Sequence, residues 1–203
     1  DFPNILYIVI ALILFMGRFL FNRALRILLI TNGLVLLAGA MLGPISALFV
    51  EKIGGDLLDA SLTGAFFALA AGITTLLAGK LADKNKRDEW VVAFGYLVIG
   101  IGFFLYMFVN SIWFLFGVQI LIGFAEAFYS PAFDALYSKH ITKRKAGREW
   151  GAWEAMNYFS IAIGAVIGGF IASTFGFNAI FALMSALCLV SAIYIFHLRK
   201  RVL

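Results

Sequence analysis

The sequence predicts an all-α polytopic membrane protein: a six-helix membrane bundle with an additional N-terminal hydrophobic helix. Three observations predict it. Apolar residues make up 63% of the chain and charged residues only 13%, too little charge to clothe a soluble domain of 203 residues. Apolar runs recur with the length that crosses a bilayer, about 20 residues at 1.5 Å each. The cations gather at alternate turns between those runs, as they do in proteins that cross a membrane repeatedly.

Residues 1–22 hold the first apolar run, 2–21, and predict the additional helix. Its one interruption is Arg18, whose long stem can carry the charge to the interface. The run reads either as a span or as a helix lying at the interface or against the bundle. A cleavable signal peptide fits less well, because the positive charge follows the apolar stretch and no small-x-small cleavage site is evident. Residues 23–203 form the six-span unit, with apolar runs at 27–50, 60–78, 90–109, 112–128, 155–175 and 179–196.

Charge sets the orientation. If the segments around Arg18, Arg23 and Arg26, then 80–87, 139–148 and 199–201, face the cytoplasm, 15 of the 16 Lys and Arg lie inside and only Lys52 lies outside. The opposite turns carry Glu51, Asp56 and Asp59 and are otherwise nearly neutral. Both ends of the six-span unit, including the C-terminus, are then cytoplasmic, and a spanning 2–21 helix would put Asp1 outside. The net charge of +5 belongs to this bias and to anionic lipid contact, since no aromatic-interleaved basic patch points to nucleic acid. The lone Cys188 falls within the last span and builds neither a disulfide nor a thiol metal site. His140 and His197 belong to no Cys/His/Asp cluster, so neither metal nor cofactor is expected.

Within the spans, small residues show where helices touch. Gly64, Ala68, Gly72, Thr75 and Gly79 recur at steps of four or three on the second span, and Gly164 and Gly168, with Gly169 beside them, do the same on the fifth. Each series predicts a bare face that another backbone can approach. On the first span Asn32, Gly39 and Ser46 share heptad spacing, and Gly43-Pro44 interrupts the outer half. Such a break needs partners for its freed carbonyls from protein or a water-filled cavity.

Buried polar groups carry the chemistry. Gln119, Gly123, Glu126, Ser130 and Asp134 fall along one helix face, with Glu126 deepest and Gly123 expected to leave space beside it. A carboxylate facing lipid is costly. Glu126 therefore reads as a cavity-lining residue for solute or proton, as a structural hydrogen-bonding group, or as a group nearer the interface. Asp134 is expected to pair with Lys139 or Arg148. Glu154, Asn157 and Tyr158 open the next span, either near the same cavity end or as an interfacial ion and aromatic belt.

At the turn after the second span, Gly79, Asp83, Lys84 and Arg87 resemble the G-x-x-x-D-(R/K)-x-G-(R/K)-(R/K) motif of the major facilitator superfamily. Lys86 stands where that motif has its second Gly, and Asp88 where it ends on a cation. Gly43-Pro44 on the first span, and the passage from Pro131 and Asp134 to Arg148 and Gly151, are also similar to that family. Gln119 stands where many proton-coupled members carry Arg, and Val166 where the antiporter motif has Pro, so neither device is implied. Trp153, Glu154 and Asn157 match no motif of the family. The resemblance spans about residues 23–200 and implies its amino-terminal six-helix half.

The resemblance implies secondary transport of a small solute by alternating access, with a proton or other coupling ion as a further partner. Glu126, Gln119, Asn32 and Asn157 are expected along the pathway, and Gly79, Asp83, Lys84 and Arg87 form the conformational motif. The second six-helix half would come from another region of a longer chain or from a homodimer. No nucleotide-binding loop is present, so a gradient is the expected energy source. The alternative is a non-transporting scaffold or assembly partner on the same fold, and a membrane enzyme ranks third.

Overall fold

The computed structural model describes residues 22–82 and 87–198, and six candidate spans lie within them. The first joins α1 (Arg23–Leu42), a 3-10 turn at Gly43–Ile45 and α2 (Ser46–Lys52). The second is α3 (Leu57–Ala82), and the third is α4 (Asp88–Leu105) with a 3-10 turn at Tyr106–Phe108. The last three are α5 (Ile112–His140), α6 (Ala146–Phe175) and α7 (Phe177–His197).

This corrects the expected fold: among the described residues the architecture is a six-helix bundle, with no seventh helix. Residues 1–21, on which that helix was placed, lie outside the described residues. Asn22, the last residue assigned to it, is extended and caps α1 (φ −66°, ψ 165°). Length and hydropathy nominate a span, but membership of a bundle requires packed partners, which neither quantity supplies.

Local chemistry explains where the helices start and stop. The Asn22 side chain accepts from Leu25 N at 2.8 Å, and Ser111 Oγ accepts from Phe114 N at 3.3 Å, each satisfying an amide that a helix start leaves over. Before α3, Asp56 and Asp59 each accept the other's backbone N–H, at 2.9 and 3.0 Å. Gly176 alone separates α6 from α7 with φ +82°, a conformation that a side chain would strain. At the Gly43-Pro44 break Gly43 O accepts both the Ser46 backbone N–H and the Ser46 hydroxyl, the latter at 2.9 Å.

Two helices outrun the apolar stretches that announced them. α5 continues through Pro131 to His140, and α6 already begins at Ala146, so Arg148 and Glu154 are helical. Hydropathy marks the part of a helix that needs lipid, whereas backbone hydrogen bonding carries the helix on into the interface.

The main packing contacts run in the order α3, α5, α4, α7, α1, α6. The two ends of that series are the least covered, with 6% of the α3 window and 22% of the fifth span's window buried, against 39% or more in the other four. Glycine makes the closest approaches. A Cβ on Gly168 would overlap the Met41 carbonyl, and one on Gly164 would lie 2.6 Å from Ala40 Cβ, so the predicted bare face of the fifth span is pressed against α1. On the bare face of α3, by contrast, Gly64 and Gly72 have no atom of the described residues within 4 Å of an added Cβ. The α3–α5 contact is made by Gly123, whose added Cβ would strike the Phe67 carbonyl. Gly123 thus admits a backbone and leaves no open space.

Charged groups collect at one end. Lys139 reaches Asp88 at 2.5 Å and not Asp134, as expected from the sequence, because Asp88 opens α4 directly beside the end of α5. Thr142 N donates to Glu149 Oε2 at 2.7 Å, Tyr137 Oη donates to Glu149 O at 2.5 Å, and Asn22 Nδ2 donates to His140 O at 2.9 Å. These bonds tie the starts of α1, α4 and α6 to the end of α5. At the other end Lys52 sits over the Phe177 ring at 5.3 Å, and Phe49 meets Phe181 edge-on with centroids 4.9 Å apart.

Candidate functional site

Glu126 lies midway along α5 and takes part in the walls of two adjoining cavities. The outer one has a volume of about 330 Å³ and adds Gln119, Gly39, Gly64, Phe67 and Tyr106 to its lining. The inner one, about 210 Å³, is lined with Glu126 by Asn157, Tyr129, Val35 and Ile161. Gly39, Phe103 and Ile122 belong to both. Gly39, Gly43, Gly64 and Glu126 are exposed while lining these spaces, so the cavities form a groove open on one side of the bundle.

The helix period explains the arrangement on α5. Gln119, Glu126 and Ser130 share a stripe, and Tyr129 lies three residues beyond Glu126 on the adjoining face. Close packing of Gly123 against α3 and of Tyr129 over Gly95 holds the helix on both flanks. The first span contributes through its small residues: Gly39, Gly43 and Ser46 leave the volume that larger side chains would fill.

The structure brings together three of the four residues expected along a pathway. Glu126 joins Gln119 in the outer cavity and Asn157 in the inner one. Asn32 lies elsewhere: it is 2% exposed, it lines neither cavity, and its Oδ1 accepts from Tyr96 Oη at 3.0 Å. Of the conformational motif, Gly79 falls in the last turns of α3 and Arg87 immediately precedes α4, while Asp83 and Lys84 lie outside the described residues. Phe103, Tyr106 and Tyr129 were not singled out from the sequence. Tyr129 had a usable signal, its i+3 relation to Glu126; the other two come from α4 and its following turn, which only packing places opposite Glu126.

Chemically, the groove offers apolar and aromatic walls, two amides and one carboxylate. Such a surface can bury the hydrophobic body of a small molecule while a few polar groups orient it. A membrane-embedded helical bundle with a groove of this kind has the form of a transport protein's half. The Major Facilitator Superfamily profile matches residues 28–202, and the chain belongs to that superfamily, a family of transporters and not of enzymes. It is 27% identical over 180 residues to multidrug resistance protein MdtG of Salmonella typhimurium, an alignment covering 86% of this chain and 44% of that protein. It is 26% identical over 172 residues to MdtG of Dickeya zeae, covering 82% and 42%, and 26% identical over 180 residues to MdtG of Proteus mirabilis, covering 85% and 44%. The chain thus spans less than half the length of these relatives.

Proposed function

We propose that this chain is one six-helix half of a secondary transporter that moves a small amphipathic solute by alternating access. The observation that carries the reading is the position of Glu126, a lone carboxylate shared by two cavities with otherwise mainly apolar walls. Among mainly apolar neighbours a carboxylate favours a cation or a hydrogen-bond donor of the solute as its partner. Aromatic neighbours add affinity for organic cations. The relatives' name, multidrug resistance protein, agrees with a groove that selects by shape and polarity and has few directional groups. Import and export are both open to this arrangement, and a proton or another ion remains the candidate coupling partner.

The groove is open on one side and the chain covers 42–44% of the relatives just described, which supports a second six-helix half closing it. That half is either a further region of a longer polypeptide or a second copy of this chain. By the positive-inside rule the end carrying Arg23, Arg26, Arg87, Lys139 and 143–145 faces the cytoplasm, and in a bacterium the membrane is the inner one.

The test is flux of tetraphenylphosphonium, a lipophilic cation, into or out of vesicles containing the protein, with and without an imposed pH gradient. Saturable flux that Glu126→Gln lowers by about tenfold or more supports the reading. Binding and flux equal to those of protein-free vesicles, in a preparation that remains folded and associates stably with a partner, would replace it with the scaffold reading.

A further inference from the structure

Asn32 reaches the groove indirectly, through two tyrosines. We propose that Asn32 and Tyr96 are positioning residues for Tyr129, holding its ring in the wall of the inner cavity and so keeping that cavity open beside Glu126. The proposal rests on the cavity having the functional role given above, but its geometry is independent of any solute.

Tyr96 is fully buried on α4 and donates its hydroxyl to Asn32 Oδ1 on α1 at 3.0 Å. In the membrane interior neither group has water as an alternative partner, so the bond fixes the tip of the Tyr96 ring between two helices. That ring meets the ring of Tyr129 on α5 in a T-shaped contact, with centroids 4.9 Å apart and planes at 72°, the arrangement aromatic quadrupoles prefer. Beneath Tyr129 lies Gly95, where an added Cβ would collide with Tyr129 Cβ. Tyr129 is therefore held from below by α4 and from the side by Tyr96, and it is only 6% exposed. It borders the inner cavity, which it lines with Glu126 and Asn157.

From this follows a direction of change. With the Tyr96 hydroxyl gone, the Tyr96 ring loses its anchor and Tyr129 relaxes toward the empty volume, narrowing the space in front of Asn157. The outer cavity, which Gln119 lines and Tyr129 does not, is unaffected.

The experiment compares thiol-labelling rates of cysteines introduced singly at Asn157 and Gln119, in a Cys188→Ala background, in folded protein in lipid vesicles. Tyr96→Phe is expected to lower the ratio of the rate at 157 to that at 119 by about fivefold, the size that one net hydrogen bond of about 1 kcal/mol permits. Asn32→Leu removes the same bond from the other side, leaves the Thr31 hydroxyl beside Tyr96, and must also lower the ratio. An unchanged ratio in both variants overturns the proposal, as does a fall in only one. A rise of both rates together indicates general loosening and overturns it as well. No solute enters the measurement, so its failure leaves the transport reading standing, and loss of the transport reading leaves this geometry to be judged alone.

Discussion

Lys139 Nζ donates to Asp88 Oδ2 at 2.5 Å, an ion pair with one partner 60% exposed and the other 2% exposed. The asymmetry decides what each group does. Asp88 has surrendered water and its Oδ1 has no hydrogen-bond partner among the described residues, whereas Lys139 would remain solvated without the contact. Lys139→Ala should therefore destabilise the protein by about 1–3 kcal/mol, because it leaves a buried carboxylate unpaired, and Asp88→Asn should cost less. Thermal unfolding in detergent gives the order, and a Lys139→Ala protein as stable as the parent would contradict it.

Glycine substitutions should divide sharply by position. Gly123→Ala and Gly168→Ala force a methyl group into a neighbouring backbone, and overpacking of that kind costs about 1–3 kcal/mol. Gly64→Ala and Gly72→Ala meet open space and should leave the stability of this half unchanged. The same unfolding assay separates the pairs, and equal loss at Gly64 and Gly168 would show that the α3 face is packed.

For Glu126, substitution by Gln keeps the size and much of the hydrogen bonding but removes the titrating group. Flux of the lipophilic cation in vesicles should fall by about tenfold or more, equivalent to about 1.4 kcal/mol, and what remains should lose its dependence on pH. Identical binding and identical pH-dependent flux in the two proteins would reject the role proposed for this carboxylate. Loss of folding in the Gln variant would assign Glu126 a structural role.

Topology yields a fourth expectation. Cysteines at Lys52 and Lys143, introduced singly without Cys188, should react with a membrane-impermeant reagent from opposite sides, with position 143 reached from the cytoplasm. Reaction of both from one side would defeat the arrangement, since Lys52 and the 143–145 turn lie at opposite ends of the bundle.

The main outline was legible because it depends on length and sign. Runs at 27–50 through 179–196 are long enough to span, and the cations around 139–148 alternate with the acidic turn at 51–59, so six spans and one charge-rich end follow from the residues. The Glu126 stripe was legible too, since helical period alone puts Gln119 and Ser130 beside it. That outline has a limit: an apolar run announces compatibility with lipid and nothing about a place in the bundle.

What tertiary structure decided was which face meets which neighbour. Gly123 and Gly64 look alike in the sequence, yet one is pressed against the α3 backbone and the other lines an open groove. Asn32 looked like a pathway residue and is bonded to Tyr96, and Lys139 passes over Asp134 for Asp88. The physical reason is the solvent. In water a buried helix face is apolar and an exposed one polar, so the pattern records burial; in a bilayer lipid and protein interior both accept the same apolar side chains. The sequence by itself therefore determined that these helices cross and at which end their charges gather, while only packing determined the partners that turn Glu126, Tyr129 and Asn157 into the wall of one cavity.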